Sequence, residues 1–249
     1  MKWLLLILAC AAVFGPATAS AQVLADYEIS KSWDRAVVYV PSNFFPKVPA
    51  TVKTDAPMPV VILMHGCAGI DVHEKKWAET LSRQGFIVVM PDSFAIPNRP
   101  RNCDPSSHTA NLGLVPVNDL RPAEAQYAMA QVREQPWADK DKVFLMGHSE
   151  GAMAAYLTPE SGFRAIVLSG FPCAIRGGIR AKLDTPVLAL NWEKDPYFVR
   201  TPIKQCAQTP LWQRRTNASE LMFPGVGHAT AFEPAAQAAV IRFLSELLK

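Results

Sequence analysis

The chain has 249 residues, is 49% hydrophobic and 19% charged, and carries a formal net charge of +3. That length and apolar share are enough for one sizeable core and exclude a chain disordered by composition. The charge is too small to imply nucleic acid or a membrane surface as partner.

The chain begins "MKWLLLILACAAVFGPATASAQ": a lysine, an apolar run, then small residues ending in Ala19-Ser20-Ala21. This is the pattern of a signal peptide cleaved before Gln22, and the apolar run is too short to span a bilayer. The expectation is an exported protein, periplasmic or secreted. Residues 1–21 are removed and 22–249 form a single domain with no stable membrane association. Lipidation at Cys10 is the weaker alternative, because the apolar segment before it is short. Cleavage leaves Cys67, Cys103, Cys173 and Cys206, an even set that an oxidising compartment converts to two disulfides, with three connectivities open.

Strand and helix patterns then alternate along the chain. "RAVVYV" (Arg35–Val40) predicts an early strand, followed by a proline-rich stretch from Pro41 to Pro59. "PVVILMHG" predicts a buried strand, "HEKKWAETLSRQG" a helix, and "FIVVMPD" another buried strand. "NDLRPAEAQYAMAQVRE" predicts a helix capped by Asn118 or Asp119, and "DKVFLMGHS" the next strand. "RAIVLSG", "TPVLALNW" and "SELMFPG" add three strands, and "EPAAQAAVIRFLSELLK" closes the chain as a helix. Continuous apolar strands separated by helices imply an α/β domain, a mostly parallel central sheet with helices on both faces. The one long irregular stretch, Ser93 to Val117, is rich in proline and holds Cys103, which favours an ordered loop.

"GHSEG", Gly147 to Gly151, is a G-x-S-x-G pattern between a strand and a helix, the context in which such a serine is a nucleophile. An abrupt strand-to-helix turn strains the serine and packs its neighbours closely, and only small residues, here Gly147 and Gly151, allow that approach. The competing role for Ser149 is a helix N-cap. A serine hydroxyl needs a base to take its proton and a third group to orient that base. Asp195, in the loop after "PVLALNW", is the candidate acid; Glu193 is a rival, and Asp184 precedes its strand and so falls at the wrong edge. His228, in the glycine-flanked "FPGVGHAT", is the candidate base, since it alone of the five histidines follows both other candidates. His148 points away from its neighbour Ser149 as a packing residue, and His73 and His108 are assigned to the surface.

The oxyanion of an acyl-transfer transition state needs N–H donors. One is the backbone N–H of Glu150, its side chain incidental; the other is that of Cys67, in the loop "HGCAG". A Cys67–Cys103 disulfide would brace this loop against the long irregular one, leaving Cys173–Cys206 by elimination.

Taken together, "VVILMHGCAG", "GFIVVMPDSF", "VFLMGHSEGA", "PVLALNWEKDP" and "FPGVGHA" resemble the dienelactone hydrolase-like branch of the α/β-hydrolase superfamily, in the family's order over most of the mature chain. The resemblance implies an α/β-hydrolase fold and a Ser149–His228–Asp195 triad with Cys67 and Glu150 as N–H donors. It implies hydrolysis of a small or medium carboxylic ester or lactone through an acyl-enzyme, with no metal or organic cofactor. Dienelactone hydrolases proper use cysteine where this chain has Ser149, which points toward the serine esterases of the same fold. Arg99, Arg176 and Arg180 follow strands and are candidates for gripping a substrate carboxylate, against a plain solubilising role. A peptidase or amidase of this fold is the rival enzyme, weakened by the lack of room for a gating domain. A non-catalytic hydrolase-like binding domain is the rival of another class, and it would have no need to keep the triad.

Overall fold

The computed structural model describes residues 28–43, 45–101, 103, 115–159, 162–173, 178–200 and 205–249. The signal segment, Cys10, His108 and Arg176 lie outside the described residues. Seven strands form one sheet: β1 (Val37–Tyr39), β2 (Met58–Met64), β3 (Ile87–Met90), β4 (Ala138–His148), β5 (Ile166–Ser169), β6 (Val187–Lys194) and β7 (Ala218–Val226). Their spatial order is β1-β3-β2-β4-β5-β6-β7; β1 runs antiparallel to β3 and every other pair is parallel. Around the sheet lie the helices α1 (Ser30–Asp34), α2 (Val72–Ser82), α3 (Val115–Arg133), α4 (Glu150–Leu157), α5 (Pro210–Gln213) and α6 (Pro234–Glu246).

Strand side chains alternate between faces, so each apolar strand feeds two cores. Val60, Ile62 and Met64 of β2 join Val143 and Leu145 of β4 against α3 and α4 through Ala125, Met129 and Ala152. Val61, Leu63, Phe144 and Met146 turn the other way, onto Trp77 and Leu81 of α2 and Val240 and Leu244 of α6. Helices are needed on both faces because Met58–Met64 of β2 and the Val143–Met146 stretch of β4 are apolar on both faces.

Two boundaries differ from the sequence reading. Strand β4 starts at Ala138, not Asp141, because Ala138 pairs with Met58 through a register shift that the alternation pattern does not reveal. Helix α3 starts at Val115, so Asn118 and Asp119 sit inside it and are not its caps. Pro122 also lies within this helix, where the missing N–H removes one helical hydrogen bond.

Strand β2 has β3 on one side and β4 on the other. In an open parallel sheet the crevice beyond the carboxyl ends at such a reversal is where ligands bind. Here those ends lead into His65-Gly66-Cys67 and into Ser149.

Candidate active site

Ser149 occupies the first position before α4, with φ 55° and ψ −116°, and makes no side-chain cap bond. A left-handed φ at a non-glycine residue is strained and persists only when the surroundings impose it. They do so here. A Cβ on Gly147 would come within 2.0 Å of the Gly151 carbonyl oxygen, and one on Gly151 within 2.0 Å of the Met64 carbonyl oxygen. Helix α4 is thus pressed onto the end of β2, and Gly66 is brought against Cβ of Ser149. Ser149 is buried, and its Oγ has no hydrogen-bond partner among the described residues. Ser149 thus holds the N-cap position, but its hydroxyl caps no helix N–H.

Across the crevice, Asp195 follows β6 and is 8% exposed. Its Oδ2 lies 2.6 Å from Nδ1 of His228, and its Oδ1 accepts the Tyr197 N–H at 2.9 Å. The His228 ring is flanked by Tyr197 and His148, with centroids 4.3 and 4.8 Å away. Gly227 before it is packed on Trp192, where a Cβ would come within 2.5 Å of the indole. The indole N–H in turn donates to the Ala229 carbonyl at 3.2 Å. The rival acids lie elsewhere: Glu193 accepts the exposed Gly225 N–H, and Asp184 precedes β6 at the opposite edge.

The loop of the expected oxyanion donor, His65-Gly66-Cys67, is built by its neighbours. His65 is fully buried; its Nδ1–H donates to the Gly66 carbonyl at 2.7 Å and its Nε2 accepts the Ser93 N–H at 3.0 Å. Burial, with the Arg121 charge nearby, holds its pKa well below the ordinary imidazole value, so it stays neutral. Cys67 is joined to Cys103, and Cys173 to Cys206. The first disulfide ties this loop to the segment after β3; the second closes the loop between β5 and β6 onto the turn before β7.

Arg99 requires a correction. It does not face a substrate: its guanidinium is buried, donating from Nε to Ser93 Oγ at 2.9 Å and pairing with Glu150. Glu150 also faces Nε of Arg121 at 3.3 Å, and Arg121 donates to Glu124 at 2.6 Å and to the His65 carbonyl at 2.5 Å. Two arginines and two glutamates thus neutralise one another beside Ser149. The side chain of Glu150 is therefore not incidental; it anchors the turn that carries Ser149. Arg180 is exposed, its backbone N–H bound to the Tyr156 carbonyl at 3.0 Å.

His73 is the second correction: it is 4% exposed, and its Nε2 accepts the N–H groups of Thr230 and Ala231 at 3.1 and 3.2 Å. Its ring stacks on His148, with centroids 3.7 Å apart. His148 is a buried packing residue that also holds a polar contact, Nδ1 to Ser169 Oγ at 3.2 Å, and its pKa is driven well below the ordinary value by burial and by the neighbouring histidines. Among the described residues, His73, Glu74 and His148 have ligand atoms within 4.8 Å of one another. The hydrogen bonds argue against a metal there. With Nε2 accepting two N–H groups, His73 carries its proton on Nδ1 and has no lone pair left to donate. A cleft of about 490 Å³ lined by Arg133, Lys140, Arg164 and Lys182 lies at the amino ends of the strands and contains no serine–histidine pair.

Sheet order, a strained serine between glycines and a crevice at the strand reversal define an α/β hydrolase. Within that class the chain belongs to the dienelactone hydrolase family, whose model matches residues 47–241, and it is a hydrolase. It is similar in structure to a dienelactone hydrolase-like promiscuous phosphotriesterase from metagenomic libraries. That pair shares 21% identity over 78% of this chain and 88% of the other, with a TM-score of 0.58. It is also similar to a cold-adapted esterase from an Arctic intertidal metagenomic library, at 16% identity over 86% and 88% of the two chains, TM-score 0.57. A third similar structure is Est1E of Butyrivibrio proteoclasticus, at 15% identity over 86% and 93%, TM-score 0.56. At these identities the likeness is one of fold. No curated protein matches the sequence. Among the described residues no helix is long and apolar enough to cross a membrane.

Proposed function

We propose that this chain is an exported serine hydrolase that cleaves carboxylic esters of small to medium size. The observation that carries the reading is the 2.6 Å Asp195–His228 hydrogen bond, together with a strained Ser149 whose hydroxyl is bonded neither to His228 nor to any other described residue. Asp195 fixes the Nδ1–H tautomer of His228, which leaves Nε2 as the base. Ser149 Oγ attacks the ester carbonyl while His228 takes its proton. The oxyanion is met by the N–H groups of Cys67 and Glu150. Collapse of the tetrahedral intermediate, with His228 returning the proton to the leaving alcohol, gives an acyl-enzyme. Water deprotonated by His228 then releases the acid and restores Ser149. Export, with cleavage before Gln22, is supported by the two disulfides, which persist in an oxidising compartment.

The test is a fluorophosphonate probe on the mature protein, with the adduct located by mass spectrometry. Labelling of Ser149 that disappears in His228→Ala supports the reading; folded protein that takes no label overturns it. An ester panel then sets the acyl preference, with a phosphotriester included because one neighbour of similar fold is described as hydrolysing that class.

A further inference from the structure

His73 and Glu74 are adjacent, buried and polar, at the amino end of α2, outside the residues assigned to bond making. Their partners lie on opposite sides of the crevice. Glu74 accepts the Gly66 N–H of the oxyanion loop at 3.1 Å through Oε1 and the Asp71 N–H at 3.3 Å through Oε2. His73 Nε2 accepts the N–H groups of Thr230 and Ala231, in the loop just after His228. The side chain of Thr230 is held as well, its Oγ1 lying 2.7 Å from Ser169 Oγ. His73 Nδ1 stands 3.8 Å from Glu74 Oε1, beyond hydrogen-bond reach, so the two halves are joined by the first turn of α2 that carries both residues.

Capping explains only part of this. Asp71 accepts the His73 N–H and Glu74 reciprocates, which completes a capping box without any need for a buried imidazole. An apolar side chain would fill the His73 site without desolvating a ring nitrogen, so the imidazole marks a demand for an acceptor there. Asp195 fixes the rotation of the His228 ring from the β6 side. It does not fix how far the loop carrying His228 stands from the oxyanion loop.

We propose that His73 and Glu74 form a positioning pair that locks the oxyanion loop and the His228 loop into one register. The inference rests on the Ser149–His228–Asp195 reading above. Misplacement by about 1 Å of groups that must meet a reacting carbonyl together costs on the order of 100-fold in rate.

The experiment compares His73→Leu, His73→Gln and Glu74→Gln in the mature, disulfide-intact protein. It measures kcat and KM on p-nitrophenyl acetate, the rate of fluorophosphonate labelling, and folding by circular dichroism. His73→Leu is expected to lower kcat and the labelling rate by ~10- to 100-fold with KM within about twofold, the signature of lost transition-state geometry. Gln carries an oxygen at the Nε2 place and is expected to recover most of the loss; Glu74→Gln is expected to lower kcat as well. A folded His73→Leu with undiminished kcat and labelling overturns the pairing and leaves His73 a packing residue. Should His73→Leu fail to fold, His73→Asn takes its place, since Asn reaches only the Nδ1 position; equal rates for Asn and Gln overturn the proposal. Wild-type protein that takes no label on Ser149 marks failure of the parent reading instead, and this inference falls with it.

Discussion

Replacing Arg121 with methionine is the sharpest probe of the charged cluster next to Ser149. Arg121 is 0% exposed and reaches the His65 carbonyl at 2.5 Å, Glu124 at 2.6 Å and Glu150 at 3.3 Å. Methionine fills much of the volume but leaves Glu124 buried beside Ser93 alone, and leaves Glu150 to Arg99. Breaking a buried pair from one side costs about 3–5 kcal/mol, against a total stability of roughly 5–15 kcal/mol. For a domain of this size each kcal/mol shifts Tm by about 2–4 °C, so a drop of about 6–20 °C is expected. The pH dependence has a definite sign. Burial already pushes the Glu124 carboxyl above its ordinary value of 4.5. Losing Arg121 raises it further, so the folded variant holds a proton that the unfolded chain gives up. The deficit is therefore full above the folded pKa and shrinks as pH falls toward the ordinary carboxylate value. Adding Glu124→Leu should recover part of the loss. Thermal melts of the two variants across pH provide the assay. A single variant melting within about 2 °C of wild type, or a double variant no more stable than the single, refutes the reasoning.

Four further outcomes are expected. Asp195→Asn keeps the shape but not the tautomer control, and should lower kcat by ~10⁴-fold with labelling of Ser149 slowed in parallel; unchanged turnover would remove Asp195 from the triad. Gly151→Ala places a methyl group 2.0 Å from the Met64 carbonyl oxygen, so it should yield little soluble protein or an enzyme that the fluorophosphonate does not label. The Cys67–Cys103 disulfide closes a 36-residue separation, for which loop entropy predicts about 4 kcal/mol; Cys67→Ser/Cys103→Ser should lose that much in urea unfolding. Buried His65 and His148 have folded pKa values well below 6.5, so unfolding takes up protons below that pH; stability should fall as pH drops from about 6.5, read as Tm against pH.

Local sequence determined the elements and the tight turn that carries Ser149. The continuous apolar runs of β2, β3 and β4 admit only a covered parallel sheet, and Gly147 and Gly151 announce the tight turn at Ser149, because both signals are written within a few residues. The Asp71–Glu74 capping box was not part of the sequence reading, and neither was the bond by which its glutamate also serves Gly66. His73 looked like a surface residue because its helix is polar on that stretch. Its partners, Thr230 and Ala231, are 157 and 158 residues away, and no local pattern records a hydrogen bond over that separation. Arg99 likewise looked available for substrate until the fold brought Glu150, 51 residues on, onto its guanidinium. The turn and the apolar strands are short-range consequences of backbone sterics and burial, so the sequence by itself determined them. Which buried charges and imidazoles meet was decided only when the sheet order brought β2, β4 and the His228 loop to one edge.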